Sequence, residues 1–220
     1  MKRRDFIALV GTLVISPRGA IAQTPGKVYR LALVSPGGVL PESALYAKLL
    51  LSGLAKLGYT PGQNLAFEGP HGAAGQPVQL PHLMEELKAA KVEVIVILGY
   101  PTAVAAKAAG IPTVVAFGIG DPVATGLVVN LARPEGNITG ISDVATTLST
   151  KRLGLLKELL PKLHRVAMLW NKEDLGMSLR YDASAKAAAA MGVDKVGDDR
   201  TANATQIDAR EIWLARQIII

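Results

Sequence analysis

The chain has 220 residues, half of them hydrophobic, no cysteine and a formal net charge of +6. The missing cysteines exclude a disulfide, a thiolate nucleophile and a lipid attached through an N-terminal cysteine. Half of the positive excess belongs to Lys2, Arg3, Arg4 and Arg18, set against Asp5, within the first 22 residues; the +3 carried by the rest, with no basic run, argues against a nucleic-acid partner.

Lys2-Arg3-Arg4, an apolar stretch over 6–15 and Ala20-Ile21-Ala22 follow the order of an export signal, with cleavage expected before Gln23. The apolar stretch is too short to cross a bilayer. Arg3-Arg4-Asp5-Phe6-Ile7, the mild h-region containing Gly11-Thr12, and Arg18 favour the twin-arginine variant over the general secretory route. An ordinary amphipathic first helix is disfavoured, because no polar face recurs there with a helical period. No later segment reaches about 18 uninterrupted apolar residues. The expectation is a periplasmic protein, exported, soluble and not lipid-anchored.

Residues 29–34 (Y-R-L-A-L-V) read as a strand that stops at Ser35-Pro36-Gly37-Gly38. Residues 43–57 then read as a helix with Leu45, Leu49, Leu50, Leu54 and Leu57 as its buried stripe and Gly58 at its C-terminus. A second strand is expected over 64–68, a helix over 80–90, and a strand buried on both faces over 92–98 (V-E-V-I-V-I-L), which barely alternates. Gly99-Tyr100-Pro101-Thr102 leads into a helix over 103–109, and a strand over 111–117 ends at Gly118-Ile119-Gly120-Asp121-Pro122. This βα alternation predicts a doubly wound parallel sheet, whose ligands sit outside the carboxyl ends of the strands. The loops at Ser35, Tyr100 and Asp121 would then share one rim.

After an apolar stretch over 127–131 and a turn-rich break over 132–137, residues 138–142 read as an extended crossing between lobes. A helix over 148–160, a strand over 165–170 and a helix over 179–191 restart the alternation, as a second lobe would. The expected organisation is a signal over 1–22, a first α/β lobe over 23–135, a crossing over 136–147 and a partial second α/β lobe over 148–220. Residues 193–220 do not continue the pattern, and the ending Ile218-Ile219-Ile220 reads as a truncated or frame-shifted terminus, or else as a final edge strand.

Several blocks carry a resemblance. They are Arg3-Arg4-x-Phe6-Ile7, Leu54-x-x-Leu57-Gly58-Tyr59-x-x-Gly62-x-Asn64, Asp121-Pro122-Val123-x-x-Gly126-Leu127-Val128, and above all Leu131-Ala132-Arg133-Pro134-Glu135-Gly136-Asn137-Ile138-Thr139-Gly140. Leu155-Leu156-Lys157-Glu158-Leu159-Leu160-Pro161 and Arg165-Val166-Ala167-Met168-Leu169-Trp170-Asn171 extend it. Over residues 1 to about 193 the chain resembles the exported substrate-binding proteins of ABC transporters, in the family of the tryptophan- and tyrosine-binding type. The resemblance implies the type 1 periplasmic-binding-protein fold: two doubly wound lobes joined by crossing strands, with the ligand between them and the second lobe incomplete here. It implies a monomeric receptor that closes over a small, amino-acid-like ligand and delivers it to ABC permease subunits, with no cofactor and no nucleic acid. A sensor of the same fold serving a membrane receptor, and a nonfunctional remnant, are the alternatives.

A receptor for a small zwitterion needs donors for a carboxylate, an acceptor for an ammonium and an apolar wall. Ser35, Gly37 and Gly38 precede one helix and Thr102 opens another, and helix starts favour anions; the competing reading makes Ser43 and Thr102 caps of their own helices. Asp121 is the candidate ammonium acceptor, or else a turn-former before Pro122. Asn171 would reach from the other lip and Tyr100 would supply a stacking wall, whereas Trp170 reads as core. Asn137, Thr139 and Gly140 are assigned to the hinge, Asn137 more as a fixture of the turn than as a ligand contact. His71, His82 and His164 have no partner at metal-ligand or triad-like spacing, and no nucleophile elbow or phosphate loop occurs, so neither catalytic nor metal residues are assigned.

Overall fold

The computed structural model describes residues 26–41, 44–171 and 173–198. The export signal, Ser43 and residues 199–220 lie outside the described residues. Strand β1 (Tyr29–Ser35) is followed by α1 (Leu45–Lys56), β2 (Leu65–Gly72), α2 (Leu80–Ala89), β3 (Val94–Leu98), α3 (Tyr100–Ala109), β4 (Thr113–Phe117) and β5 (Ile138–Gly140). These five strands make one sheet in the order β2-β1-β3-β4-β5, parallel throughout. Then come α4 (Ala145–Leu159), β6 (Arg165–Leu169), α5 (Leu175–Ala190) and β7 (Asp194–Asp198), with β6 and β7 paired in a second parallel sheet.

The near-continuous apolar strands dictate this layering. In β1, Leu31 and Leu33 point to one face and Ala32 and Val34 to the other, and all four are buried. A strand apolar on both sides needs cover on both. On one side Leu31, Leu33, Val96 and Leu98 pack against Ala47 of α1; on the other Ala32, Val34, Ile95, Ile97 and Val115 meet Leu80, Met84 and Leu87 of α2 and Ala103 and Ala106 of α3. The order of strands reverses direction between β1 and β3, which places the switch point at Ser35 and Gly99.

Most element boundaries shift by a few residues for identifiable reasons. Helix α3 starts three residues earlier than the periodicity predicts, because Gly99 takes φ 78° and ψ 151°, which turns the chain sharply out of β3, and Pro101 falls in the first turn where its missing N–H is not needed. Helix α5 likewise starts at Leu175, where Asp174 caps it by accepting from Met177 N at 3.0 Å. Strand β2 runs on to Gly72, paired with β1 across an irregularity between Leu31 and Leu33.

Three expectations are corrected. The buried side of α1 is Ala47 flanked by the partly buried Leu50, Leu51 and Leu54, while Leu45, Leu49 and Leu57 are 65%, 61% and 72% exposed. Small Ala47 lets the helix axis approach the sheet, and that approach rotates the expected stripe outward. Residues 194–198 do continue the alternation: β7 pairs with β6 from Arg165↔Asp194 to Leu169↔Asp198. The D-K-V-G-D sequence hid it because a ladder of backbone hydrogen bonds needs no apolar pattern. Trp170 is not core, since β6 ends before it and its ring stacks on Tyr181 of α5 with centroids 3.5 Å apart and planes at 14°.

The segment read as a crossing contributes β5 to the first sheet before the chain leaves for α4. Asn137 anchors it by donating through Nδ2 to Ala106 O at 2.9 Å and Ile111 O at 2.8 Å. Gly140 sits at φ 142°, and a Cβ there would overlap the backbone of Val115 on β4. Only glycine lets the two strands lie this close.

Candidate functional site

The rim of the first sheet is built from loops whose backbones pack almost directly on one another. A Cβ on Gly99 would come within 2.9 Å of Pro36 Cγ, and one on Gly118 within 3.4 Å of Gly99 Cα. A Cβ on Gly72 would strike the backbone of Gly38 and Val39. Glycine at these positions draws the β1–α1, β3–α3 and post-β4 loops into one shallow floor.

Ser35 is buried at the end of β1, and its Oγ accepts from Gly37 N at 3.1 Å. That contact engages the Gly37 amide within the loop. The loop is tied to the end of β2 by Ala73 N donating to Ser35 O, Ala74 N to Gly37 O and Gly75 N to Pro36 O. Gly38 is exposed beside it. Thr102, in the first turn of α3, is fully buried and its Oγ1 has no hydrogen-bond partner. It is not the cap of its helix; Gly99 holds that position, with no side-chain cap bond. A buried hydroxyl left unpaired is destabilising, and such a group calls for an explanation.

Tyr100 stands at the start of α3, half-buried, facing the N-terminus of α5 from the second lobe. A Cβ on Gly176 would lie 3.6 Å from Tyr100 Cβ and 3.6 Å from Ile119 O, and one on Gly120 would lie 3.8 Å from Gly176 O. The two lobes therefore meet through glycine backbones. Burial pushes the Tyr100 phenol up from its ordinary value; a hydrogen bond with Thr125 works against this and the nearby charge of Asp174 adds to it. Ser142 Oγ donates to Gly120 O at 2.8 Å, which ties the chain beyond β5 back to the same loop.

Asp121 caps the turn that follows it, its Oδ1 accepting from Val123 N at 3.1 Å and Ala124 N at 3.0 Å. Its carbonyl accepts from Thr125 Oγ1 at 3.1 Å. The turn-forming role is thus present at the half-buried rim position where an ammonium acceptor is wanted. Asn171 caps its own loop, Oδ1 accepting from Glu173 N at 3.0 Å. Asn137, Thr139 and Gly140 lie in or beside β5, on the first sheet.

Asp174 is the residue that sequence reasoning missed. It is half-buried, and burial lifts its carboxyl above the usual range, opposed by hydrogen bonds from Met177 N and Gly176 N and by the charge of Arg180. A carboxylate partly stripped of water and close to Tyr100 of the opposite lobe is poised to gain from a cation placed between them. In the sequence Asp174 reads only as the last residue of the polar loop after the strand over 165–170, five residues ahead of the helix expected over 179–191. Among the described residues, no group of three or more His, Cys, Asp or Glu side chains is placed to hold a metal ion.

The profile of the family described as ABC transporter substrate binding protein matches residues 41–194. A tyrosine-binding protein of Clostridioides difficile is 28% identical over 138 residues, which are 62% of this chain and 39% of that protein. The crystal structure of a conserved domain protein from Vibrio cholerae superposes with a TM-score of 0.69 at 28% identity, over 78% of this chain and 57% of that one. The ABC domain from Streptococcus pneumoniae in complex with L-Trp has a TM-score of 0.64 at 21% identity with the same coverage, a likeness of fold. The chain thus spans between about two fifths and three fifths of the length of these relatives.

Proposed function

Because the chain belongs to the ABC transporter substrate binding proteins, we propose that it is a periplasmic solute receptor that takes a small amino-acid-like ligand between its lobes and presents it, as a monomer, to ABC permease subunits. In this reading residues 1–22 direct export, by the twin-arginine route, and are removed. The first lobe extends over 23–135, the crossing over 136–147 and the second lobe over 148–220.

The observation that carries the proposal is the meeting of opposite requirements at one cleft. In this reading the first lobe contributes the Ser35–Gly38 loop, the ring of Tyr100 and the hydroxyl of Thr102, which is buried and unpaired in the unliganded protein and is uncovered when ligand binds; the second contributes Asp174 and Asn171. Thr102 and the loop hold the ligand carboxylate, with the first turn of α3 adding its dipole. The ammonium lies between Asp121 and Asp174, and Tyr100 packs on the side chain. A ligand that bridges both lobes stabilises the closed arrangement by its differential affinity for it. The bend lies between Gly140 and α4: Asn137, Thr139 and Gly140 are the anchored side, and Val144, a β-branched residue held at φ 40°, is the strained one.

A thermal-shift screen of the purified protein against the amino acids tests this, since a ligand confined to the native state raises the melting temperature by mass action. One or a few amino acids are expected to shift the melt, with the shift lost in Asp121→Ala or Asp174→Ala. A cooperative melt that no amino acid moves, or an unchanged shift in both variants, rejects the proposed site.

A further inference from the structure

Helix α1 is apolar on two sides, and the sheet covers only one of them. Ala47, Leu50, Leu51 and Leu54 pack toward the strands, whereas Leu45, Leu49 and Leu57 form an exposed outer row at four-residue intervals, interrupted by Gly53. Nothing lies within 4 Å of where a Gly53 Cβ would stand, so the row borders open space. Tyr46 is half-exposed one turn from Leu49, and its ring leans on Phe117 at the end of β4 with centroids 5.1 Å apart. Single exposed leucines are ordinary, but a contiguous row of them on one helix marks a surface that is covered in use.

The charges on this face decide what covers it. Lys48 and Lys56 are exposed among the leucines, neither forms an ion pair among the described residues, and no Asp or Glu occurs from Leu45 to Phe67. A protein partner closing over the row would strip water from both ammonium groups and owe each an acceptor. A second copy of α1 would bring lysines from both sides and no carboxylate to one interface. A bilayer with anionic headgroups meets both demands: leucines enter the acyl boundary, the long lysine stems carry their ammonium groups out to the phosphates, and a tyrosine sits at headgroup level. We infer that the outer face of α1 rests on an anionic lipid surface, with Leu45, Leu49 and Leu57 as the inserted row and Lys48 and Lys56 as the phosphate contacts. The contact is reversible, since three leucines and two lysines supply about the affinity of a single acyl chain. It uses none of the cleft residues and, on the function proposed above, keeps the receptor beside its permease.

The chain has no cysteine, so Ser52→Cys, exposed on this face, takes a single environment-sensitive nitrobenzoxadiazole label, and Glu85→Cys, exposed on α2 across the sheet, takes the control label. Titrating each labelled full chain with vesicles of phosphatidylglycerol and phosphatidylcholine in equal parts should shift the emission to the blue at position 52, saturably, half-maximal on the order of 0.1 mM lipid. The label at position 85 should not respond, and vesicles of phosphatidylcholine alone should bind far more weakly. Lys48→Gln combined with Lys56→Gln should weaken binding about 30-fold, and Leu49→Glu should abolish it; Leu45→Glu takes its place if Leu49→Glu does not melt cooperatively. No blue shift at position 52, which binding through residues 1–22 alone would give, overturns the inference. So does an equal shift at position 85, an equal response to phosphatidylcholine alone, or unchanged binding in the glutamate variant. A shift at position 52 that needs only a higher protein concentration also overturns it, and assigns the face to a second copy.

Discussion

Replacing Thr102 with valine separates stability from binding by the sign of each effect. The substitution preserves size and β-branching and removes one hydroxyl from a residue with 0% exposure whose Oγ1 has no partner. Threonine and valine have nearly equal helix propensity, so the backbone contributes little. An unpaired buried hydroxyl costs about 1–3 kcal/mol. Removing it should therefore stabilise the unliganded protein by about 1–2 kcal/mol, a rise in Tm of about 2–8 °C for a chain of this size. If the same hydroxyl donates to the ligand carboxylate, its loss forfeits a charged hydrogen bond of about 1.5–3 kcal/mol, weakening affinity about 10- to 150-fold. Thermal melts without ligand, and calorimetric titration with an amino acid that shifts the wild-type melt, read the two effects. A lower melting temperature would mean the hydroxyl has a protein partner, and unchanged affinity would remove Thr102 from the site.

Asn137→Ala should cost about 2 kcal/mol, since two Nδ2 hydrogen bonds to Ala106 O and Ile111 O go with it; chemical denaturation reads this, and a cost near zero would deny the anchoring role. Gly140→Ala should destabilise by about 3–5 kcal/mol, combining a left-handed backbone with overlap on Val115, whereas Gly136→Ala, at φ 70° with open space around it, should cost about 1 kcal/mol. Comparable losses in the two variants would refute the close approach of β5 to β4. The carboxyl of Asp174 is raised in the folded state by burial, so the native protein keeps a proton that the unfolded chain has lost. Its contribution to stability is greatest below the ordinary carboxylate range, about pH 4, and declines as pH rises through the raised value. Asp174→Asn keeps a capping side chain and removes that decline, so melting temperature relative to wild type should climb across this interval; parallel pH profiles would contradict the burial of the charge.

The parallel sheet was legible in the sequence because its cause is local. The run V-E-V-I-V-I-L is apolar on both faces, and such a strand exists only between helices. The rim loops at Ser35, Tyr100 and Asp121 followed from the same alternation, since loops after parallel strands share one edge. What the sequence left undecided were relations between surfaces. Leucines occur on several sides of α1, and only contact with the sheet through Ala47 selected which of them are covered. β7 carries no apolar signal, since backbone pairing with β6 is what makes it a strand. Thr102 looks like any helix-opening threonine until packing denies its hydroxyl a partner, and Asp174 looks like any cap until Gly176 brings it to Tyr100 of the other lobe. Periodicity records what each segment must bury, whereas the partners of a polar group many residues away are set only when those buried surfaces dock.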